Sequence, residues 1–364
     1  MQQYDPNEII RHIYRAEDYQ RLAEELLEPS VYAHISGGSG CERTLKANVS
    51  ELDRIQLLPR ILRDCSSGST RTQIFDRSLS HPIFLAPVAY QSLVHPEGEI
   101  ETAHAAEATD TPMVLSTLSS CSLEEIAKNN SGLKWFQLYF QPSFVDTLDL
   151  VRRAEKSAYQ AIIVTLDTPV QTVSHRAQKA GFRMPDHIQD ANLTNYAPHN
   201  TIQIEQDESF IFQGIMRQAP KWEDLRHLLA ETQLPVFVKG ALHPADIDQL
   251  LQIGISGLVI SNHGGRALDS TPATIQLLSA IRARVGKNFP LIFDSGIRSG
   301  EHIFKALALG ADAVMVGRLQ MYALALGGAL GVAHMLKVLR EELEVCMALT
   351  GCSQISDITP ETLL

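Results

Sequence analysis

Cysteine is scarce in this chain, and what there is comes unpaired in sequence. The five cysteines, Cys41, Cys65, Cys121, Cys346 and Cys352, form no C-x-x-C pair. That spacing argues against a zinc site and against a disulfide framework, so no metal is expected and the thiols fit a reducing, cytoplasmic setting. Positive charge is also in short supply: 31 Lys and Arg stand against 42 Asp and Glu, a net charge of −11. Such a balance excludes nucleic acid and anionic membrane as main partners. No unbroken apolar run looks long enough to span a bilayer, and Met1-Gln2-Gln3-Tyr4-Asp5 lacks the basic and apolar regions of a signal peptide. There is no low-complexity tract. With 364 residues, 45% of them hydrophobic, the chain has enough apolar surface for one large domain or two ordinary ones.

From about residue 82 short β-rich apolar runs alternate with helical patterns. The runs fall at 83–88, 112–117, 134–140, 161–167, 235–240, 257–263, 290–296 and 313–318. Amphipathic segments lie between them, for example 144–157, 244–253, 274–285 and 301–309. Eight strands with helical crossovers imply a parallel sheet, and eight units close a (β/α)8 TIM barrel over 82–340. An open doubly wound sheet is the alternative. Its nucleotide signature is nearest at Gly37-Gly38-Ser39-Gly40, but that stretch follows a helical pattern rather than a strand. Residues 1–70 read as a helical extension, and 323–349 as a helical pair hinged at Gly327-Gly328. The connection 171–220 carries Pro185, Pro198 and Pro220, is polar, and shows no apolar patch. A connection of that length in a compact domain predicts a lid.

The active site of such a barrel forms at the C-terminal strand ends. The ends here deliver Ala86-Pro87-Val88-Ala89, Ser116, Gln137 and Tyr139, Thr165 and Asp167, Lys239, His263 and Arg266, Asp294, Gly296 and Arg298, and Gly317 with Arg318. The sixth end is the most informative, because Ser261-Asn262-His263-Gly264-Gly265-Arg266 sets a base three residues from a fixed cation on a glycine turn. That pairing suits proton removal from an anionic substrate. Gly turns, a helix N-terminus and arginines after the seventh and eighth strands make a phosphate cradle, for a phosphorylated cofactor or equally for a phosphorylated substrate.

These motifs resemble the FMN-dependent (S)-2-hydroxy-acid oxidases and dehydrogenases, a family that includes glycolate, lactate and hydroxymandelate oxidases. The matches run nearly the whole chain: Ser39-Gly40-Cys41-Glu42-Arg43-Thr44, Leu57-Leu58-Pro59-Arg60, Gln137-Leu138-Tyr139, Thr165-Leu166-Asp167-Thr168-Pro169, the His263 and Asp294 motifs, and Met347-Ala348-Leu349-Thr350-Gly351-Cys352. The resemblance implies a single domain over 1–364 that oxidises a 2-hydroxy acid and passes electrons to oxygen, giving hydrogen peroxide. A soluble dehydrogenase with another acceptor, or activity on an unusual 2-hydroxy-acid derivative, is the alternative. It implies that His263 accepts a proton, Asp167 holds its imidazole, Arg266 and Tyr139 bind substrate, and Lys239 sits by the flavin. Pro87, Val88, Ala89, Ser116, Gln137, Thr165 and Asp294 would hold the flavin and ribityl chain, and Gly296, Arg298, Gly317 and Arg318 the FMN phosphate. A homotetramer is implied in the same way.

Two positions depart from the family pattern, and both would face the substrate. His34 stands where a tyrosine is usual, with Tyr32 out of register. Ser174 stands where an arginine is usual, with Arg176 two residues late, while Phe182 keeps its family position. Leu118 replaces a bulky tryptophan of the glycolate oxidases.

Overall fold

The computed structural model describes residues 11–74, 77–197 and 202–364. The first ten residues of the helical extension, and Pro198 of the lid, lie outside them. A short antiparallel hairpin, β1 (Thr72–Ile74) and β2 (Arg77–Leu79), precedes the barrel. Then come β3 (Ile83–Leu85), β4 (Met113–Leu115), β5 (Lys134–Leu138), β6 (Ile162–Thr165), β7 (Val236–Lys239), β8 (Gly257–Ile260), β9 (Leu291–Phe293) and β10 (Ala313–Val316). They pair in parallel, each with its chain neighbour, and β10 pairs with β3 to close the barrel. Each strand is followed by a helix, so the eight-unit expectation holds. The doubly wound alternative is excluded, because closure leaves the sheet no edge.

Alternation along the strands sorts the core. Phe84, Val114, Trp135, Ile163, Phe237, Val259, Ile292 and Met315 pack together inside the barrel. Their neighbours, among them Leu85, Leu115, Phe136, Val164, Val238, Ile260, Phe293 and Val316, pack outward against the helices. A side chain two residues on points to the same face. Stepping by two from the interior set reaches Ala86, Ser116, Gln137, Thr165, Lys239, Ser261, Asp294 and Gly317. Period two thus carries the barrel's own packing rule up to a ring of polar groups at its mouth. The register sets Thr165 directly opposite Lys239.

The hairpin has no counterpart in the sequence expectations. Its Ile74 and Leu79 join the interior cluster beside Phe84 and Trp135, at the end of the barrel remote from that mouth. Its strands are three residues each, too short for a periodic signal to register. The N-terminal segment forms helices Asp18–Leu26, Pro29–Ser36 and Arg43–Arg54. Along the second and third of these the chain lies over the mouth: Ser39, between them, donates from its main chain to Gly265 O (2.9 Å), and Asn48, on the third, donates through Nδ2 to Asn262 Oδ1 (2.8 Å). Gly38 lets the two turns meet, since a Cβ there would fall 2.8 Å from Gly265 O.

Helix Arg318–Thr350 corrects one expectation. By length and composition it is apolar enough to cross a membrane. Here it packs on helices Asp18–Leu26, Gly98–Ala108 and Gly300–Ala308 and is broken at Gly327-Gly328, as the glycine pair predicts. The lid corrects another. Phe210, Ile211, Phe212 and Met216 are exposed, so the connection does carry an apolar strip. The strip sits in a short π-helical turn, Phe210–Ile215, whose sequence is embedded in polar flanks that masked it.

Candidate active site

The turn after β8 is built under constraint. His263, Gly264 and Gly265 all have positive φ (58°, 60° and 75°), a region that costs a non-glycine residue energy and tends to persist at functional sites. The surrounding bonds hold it: His263 N donates to Ser261 Oγ (2.9 Å), Gly264 N to Ser295 Oγ (3.0 Å), and Gly265 N to Asn262 Oδ1 (3.1 Å). This projects the imidazole toward Asp167, with Nδ1 2.9 Å from Oδ1. The carboxylate fixes the tautomer: Nδ1 carries the proton and donates, leaving the Nε2 lone pair to accept. Burial by itself would raise the Asp167 carboxyl, but His263 and Lys239 outweigh it and hold it below the ordinary range. Asp167 is therefore an anion, ready to stabilise an imidazolium.

Lys239 is buried, with Nζ 3.6 Å from Asp294 Oδ2. Burial works against its charge, yet Asp294 and Asp167 raise it above the ordinary value, so the ammonium stays charged. Ser261 Oγ donates to the same Asp294 oxygen. On the neighbouring strands Gln137 Oε1 accepts from Ser116 Oγ (3.3 Å) and Thr117 N (3.2 Å). That leaves Gln137 Nε2 and Thr165 Oγ1 buried with no partner among the described residues. A buried donor without a partner costs about 1–3 kcal/mol. Two such atoms beside a buried cation suit a polar ring with carbonyl and ring-nitrogen acceptors, as a flavin presents. Pro87, Val88 and Ala89 stand at the end of β3 on the same mouth.

The cradle side holds an excess of buried positive charge. Arg298 Nη1 donates to Ile297 O (2.7 Å), and burial pushes this guanidinium below its ordinary value. Gly296 has φ +96°, and a Cβ there would fall 2.4 Å from Asn48 O, so only glycine admits this turn. The Gly300–Ala308 helix begins just beyond, capped by Ser299. Its first amide, Gly300 N, donates to Glu342 Oε2 (2.7 Å), so the group here that fits a phosphate is the buried Arg298 guanidinium beside the Gly296 turn rather than this helix N-terminus. Arg318 differs from its expected role. Its side chain is spent on main-chain carbonyls: Nε on Ile35 O (3.0 Å), Nη1 on Gly264 O (2.8 Å), and Nη2 on Gly37 O (2.7 Å). It can offer the cradle its backbone N–H, at the start of its helix, while its guanidinium clamps the base-bearing turn to the N-terminal segment. Burial, with Arg266 second, pushes that guanidinium down to about 9.

A cavity of about 740 Å³ opens on the other side of the mouth, lined by His263, Arg266, Tyr139 and Ser174 among others. Arg266 Nη1 donates to His34 O (2.7 Å) and Gly37 O (3.1 Å), which aims the guanidinium and leaves Nε and Nη2 for a substrate carboxylate. His34 does not replace a charge. Its ring stacks on Phe182 (centroids 4.0 Å, 11° between planes), and burial, with Arg266 second, pushes it down to about 4. Ser174 caps the helix His175–Lys179 through Ala177 N (3.3 Å). Arg176 turns to Ser36 Oγ and pairs with Glu42, so it does not compensate for Ser174. Among the described residues lining the cavity, Arg266 is the one permanent cation.

Four contributors carried no role in the sequence reading. Ser261 and Ser295 support the His263 turn. Asn192 on the lid donates to Ser116 O and Thr117 O and accepts from Leu123 N, tying lid to barrel. The Tyr322 hydroxyl is buried without a partner beside Arg298 and Arg318. Ser261 was within reach of period two counted from Val259; the other three depend on folding.

The model of the FMN-dependent dehydrogenase family matches residues 23–364. An L-lactate oxidase of Alicycliphilus denitrificans is 52% identical over 96% of this chain and 96% of its own. A 4-hydroxymandelate oxidase of Amycolatopsis orientalis is 41% identical over 93% of this chain and 94% of its own. Among solved structures, a mandelate oxidase bound to (S)-2-phenylpropionate superposes with a TM-score of 0.87 at 39% identity, covering 97% of this chain and 98% of that one. With the orphaned donors, the buried lysine and the cradle in place, the chain belongs to the FMN-dependent dehydrogenase family and FMN is its cofactor.

Proposed function

We propose that the protein oxidises an (S)-2-hydroxy acid to the 2-oxo acid and hands the electrons to oxygen, forming hydrogen peroxide. The observation that carries this reading is the His263–Asp167 pair at 2.9 Å, facing a cavity that also holds Arg266 and Tyr139. Relatives named as lactate and hydroxymandelate oxidases support it.

FMN, when bound, would supply the two-electron acceptor for the carbinol carbon and the route by which those electrons reach oxygen. The chain's residues do the rest. Arg266 receives the carboxylate through Nε and Nη2, an interaction worth about 1.5–3 kcal/mol. The Tyr139 hydroxyl, held protonated by burial, donates to a substrate oxygen. His263 Nε2 accepts a proton as the carbinol is oxidised, and Asp167 stabilises the resulting imidazolium through Nδ1–H. Lys239, charged and dry, stabilises negative charge that develops on the flavin side of the mouth. The lid excludes water while Asn192 keeps it tied to the barrel.

Anaerobic mixing with a panel of 2-hydroxy acids tests the reading: at least one must bleach the flavin, and aerobic turnover must release one peroxide per oxo acid. Bleaching without peroxide would favour the dehydrogenase. The proposed setting is the cytoplasm, supported by five unpaired cysteines, and the proposed assembly is a homotetramer, which light scattering checks.

A further inference from the structure

The cavity beside the base is large for lactate, the acid named in several relatives. Lactate carries only a methyl group beyond its carbinol carbon, whereas pockets of roughly 300–1,000 Å³ enclose drug-sized ligands, and this one measures about 740 Å³. Most of the space lies away from the flavin. Thr165 is on its wall, but Pro87, Val88, Ala89, Ser116, Gln137 and Lys239 are not, while His263, Arg266 and Tyr139 are. It therefore lies mainly on the substrate side and meets the flavin edge at Thr165.

The wall divides by origin. Tyr139, the base and the cation come from the β5 end and the β8 turn, and Thr168, Gln171, Thr172, Ser174 and Gln218 add uncharged polar groups after β6 and from the lid. Leu118, Phe140 and Pro142 follow β4 and β5, and Ile202, Phe210 and Ile215 come down from the lid. Leu118 opens the floor, because a leucine sits at the end of β4 beside the base. Charge recognition is thin by contrast. Ser174 is occupied as a helix cap, Arg176 is paired with Glu42, and His34 is stacked on Phe182, so among the described residues Arg266 holds the carboxylate without a second cation. A site with one cation and a wide apolar wall must draw its selectivity from apolar burial.

We infer that the preferred substrate is a 2-hydroxy acid bearing a large apolar group beyond the carbinol carbon, packed under the lid against Leu118, Phe140 and Phe210. This rests on the reading of the chain as a 2-hydroxy-acid oxidase. Each buried methylene contributes about fourfold to transition-state binding, so several together separate such an acid from lactate by well over tenfold.

The test is kcat/KM by peroxide release, with anaerobic flavin reduction, for glycolate, lactate, 2-hydroxyoctanoate, mandelate and 3-phenyllactate. The expected result is at least a tenfold advantage of 2-hydroxyoctanoate or one of the aryl acids over lactate. The alkyl and aryl arms show which shape the wall prefers. Leu118→Trp fills the cavity and should lower the ratio of the large acid to lactate at least tenfold. Phe210→Ala removes part of the wall from an exposed lid position, where folding is not at stake, and should lower the same ratio severalfold. Lactate or glycolate equal to or better than the large acids overturns the inference and leaves the oxidase reading intact. A large-acid preference that neither variant alters overturns the assignment of the cavity. Flavin left oxidised by every acid overturns the oxidase reading itself.

Discussion

Replacing Asp167 with asparagine tests the catalytic pair most directly. The carboxylate is buried, with one oxygen 2.9 Å from His263 Nδ1 and the other without a protein partner. Asparagine keeps the shape and removes the charge. The imidazolium formed when His263 takes a proton then loses a charge-assisted hydrogen bond, worth about 1.5–3 kcal/mol. At about 1.4 kcal/mol per tenfold, flavin reduction should slow roughly 10- to 150-fold. The amide can also present its NH2 to Nδ1, which would put the proton on Nε2 and push the loss toward the upper figure. Arg266 and Tyr139 are untouched, so the substrate dissociation constant should move little. Stopped-flow reduction under anaerobic conditions gives both numbers, and the bound-flavin spectrum reports intact folding. Reduction within threefold of the parent rate, with flavin bound, would refute Asp167 as the partner of the base.

Three further outcomes follow from the same geometry. Lys239→Met removes the buried cation at the mouth, and a loss of about 1.5–3 kcal/mol in stabilising reduced flavin lowers the two-electron midpoint potential by roughly 30–65 mV in a spectroelectrochemical titration; an unchanged potential contradicts its placement. His34 and His81 are both pushed down to about 4, chiefly by burial, from 6.5. Each binds its proton more readily when unfolded, so their stabilisation is complete above about pH 6.5 and is lost as pH falls toward 4. Urea melts should show a decline on the order of 2 kcal/mol per histidine between pH 7 and 5, and a flat profile would contradict neutral burial. Gly257→Ala places a Cβ 2.2 Å from the Phe237 ring inside the barrel, so thermal unfolding should register a destabilisation of about 1–3 kcal/mol.

The barrel and the ring of polar residues at its mouth were legible in the chain alone. Both obey one local rule, alternation: the β-rich runs show where strands lie, and stepping by two from Val259 or Ile163 arrives at His263 or Asp167. The expected pairing of His263 with Asp167 came from the family resemblance, the expected cradle at Gly296 and Arg298 from glycine turns and arginines after the last two strands, and the contact of Lys239 with Asp294 only from the closed sheet.

Only the tertiary structure decided where long side chains go once several partners compete for them. Arg318 looked like a phosphate ligand, yet the carbonyls of Ile35, Gly37 and Gly264 take its guanidinium, and those come from segments far apart in the chain. Arg176 is two residues late for the usual arginine at Ser174, and Glu42 holds it away. The size of the cavity, the exposed strip on the lid and the hairpin under the barrel were likewise settled by packing. A strand's period is written in neighbouring residues. The partner of a flexible cation, and the space left between a lid and a barrel, depend on which distant surfaces meet.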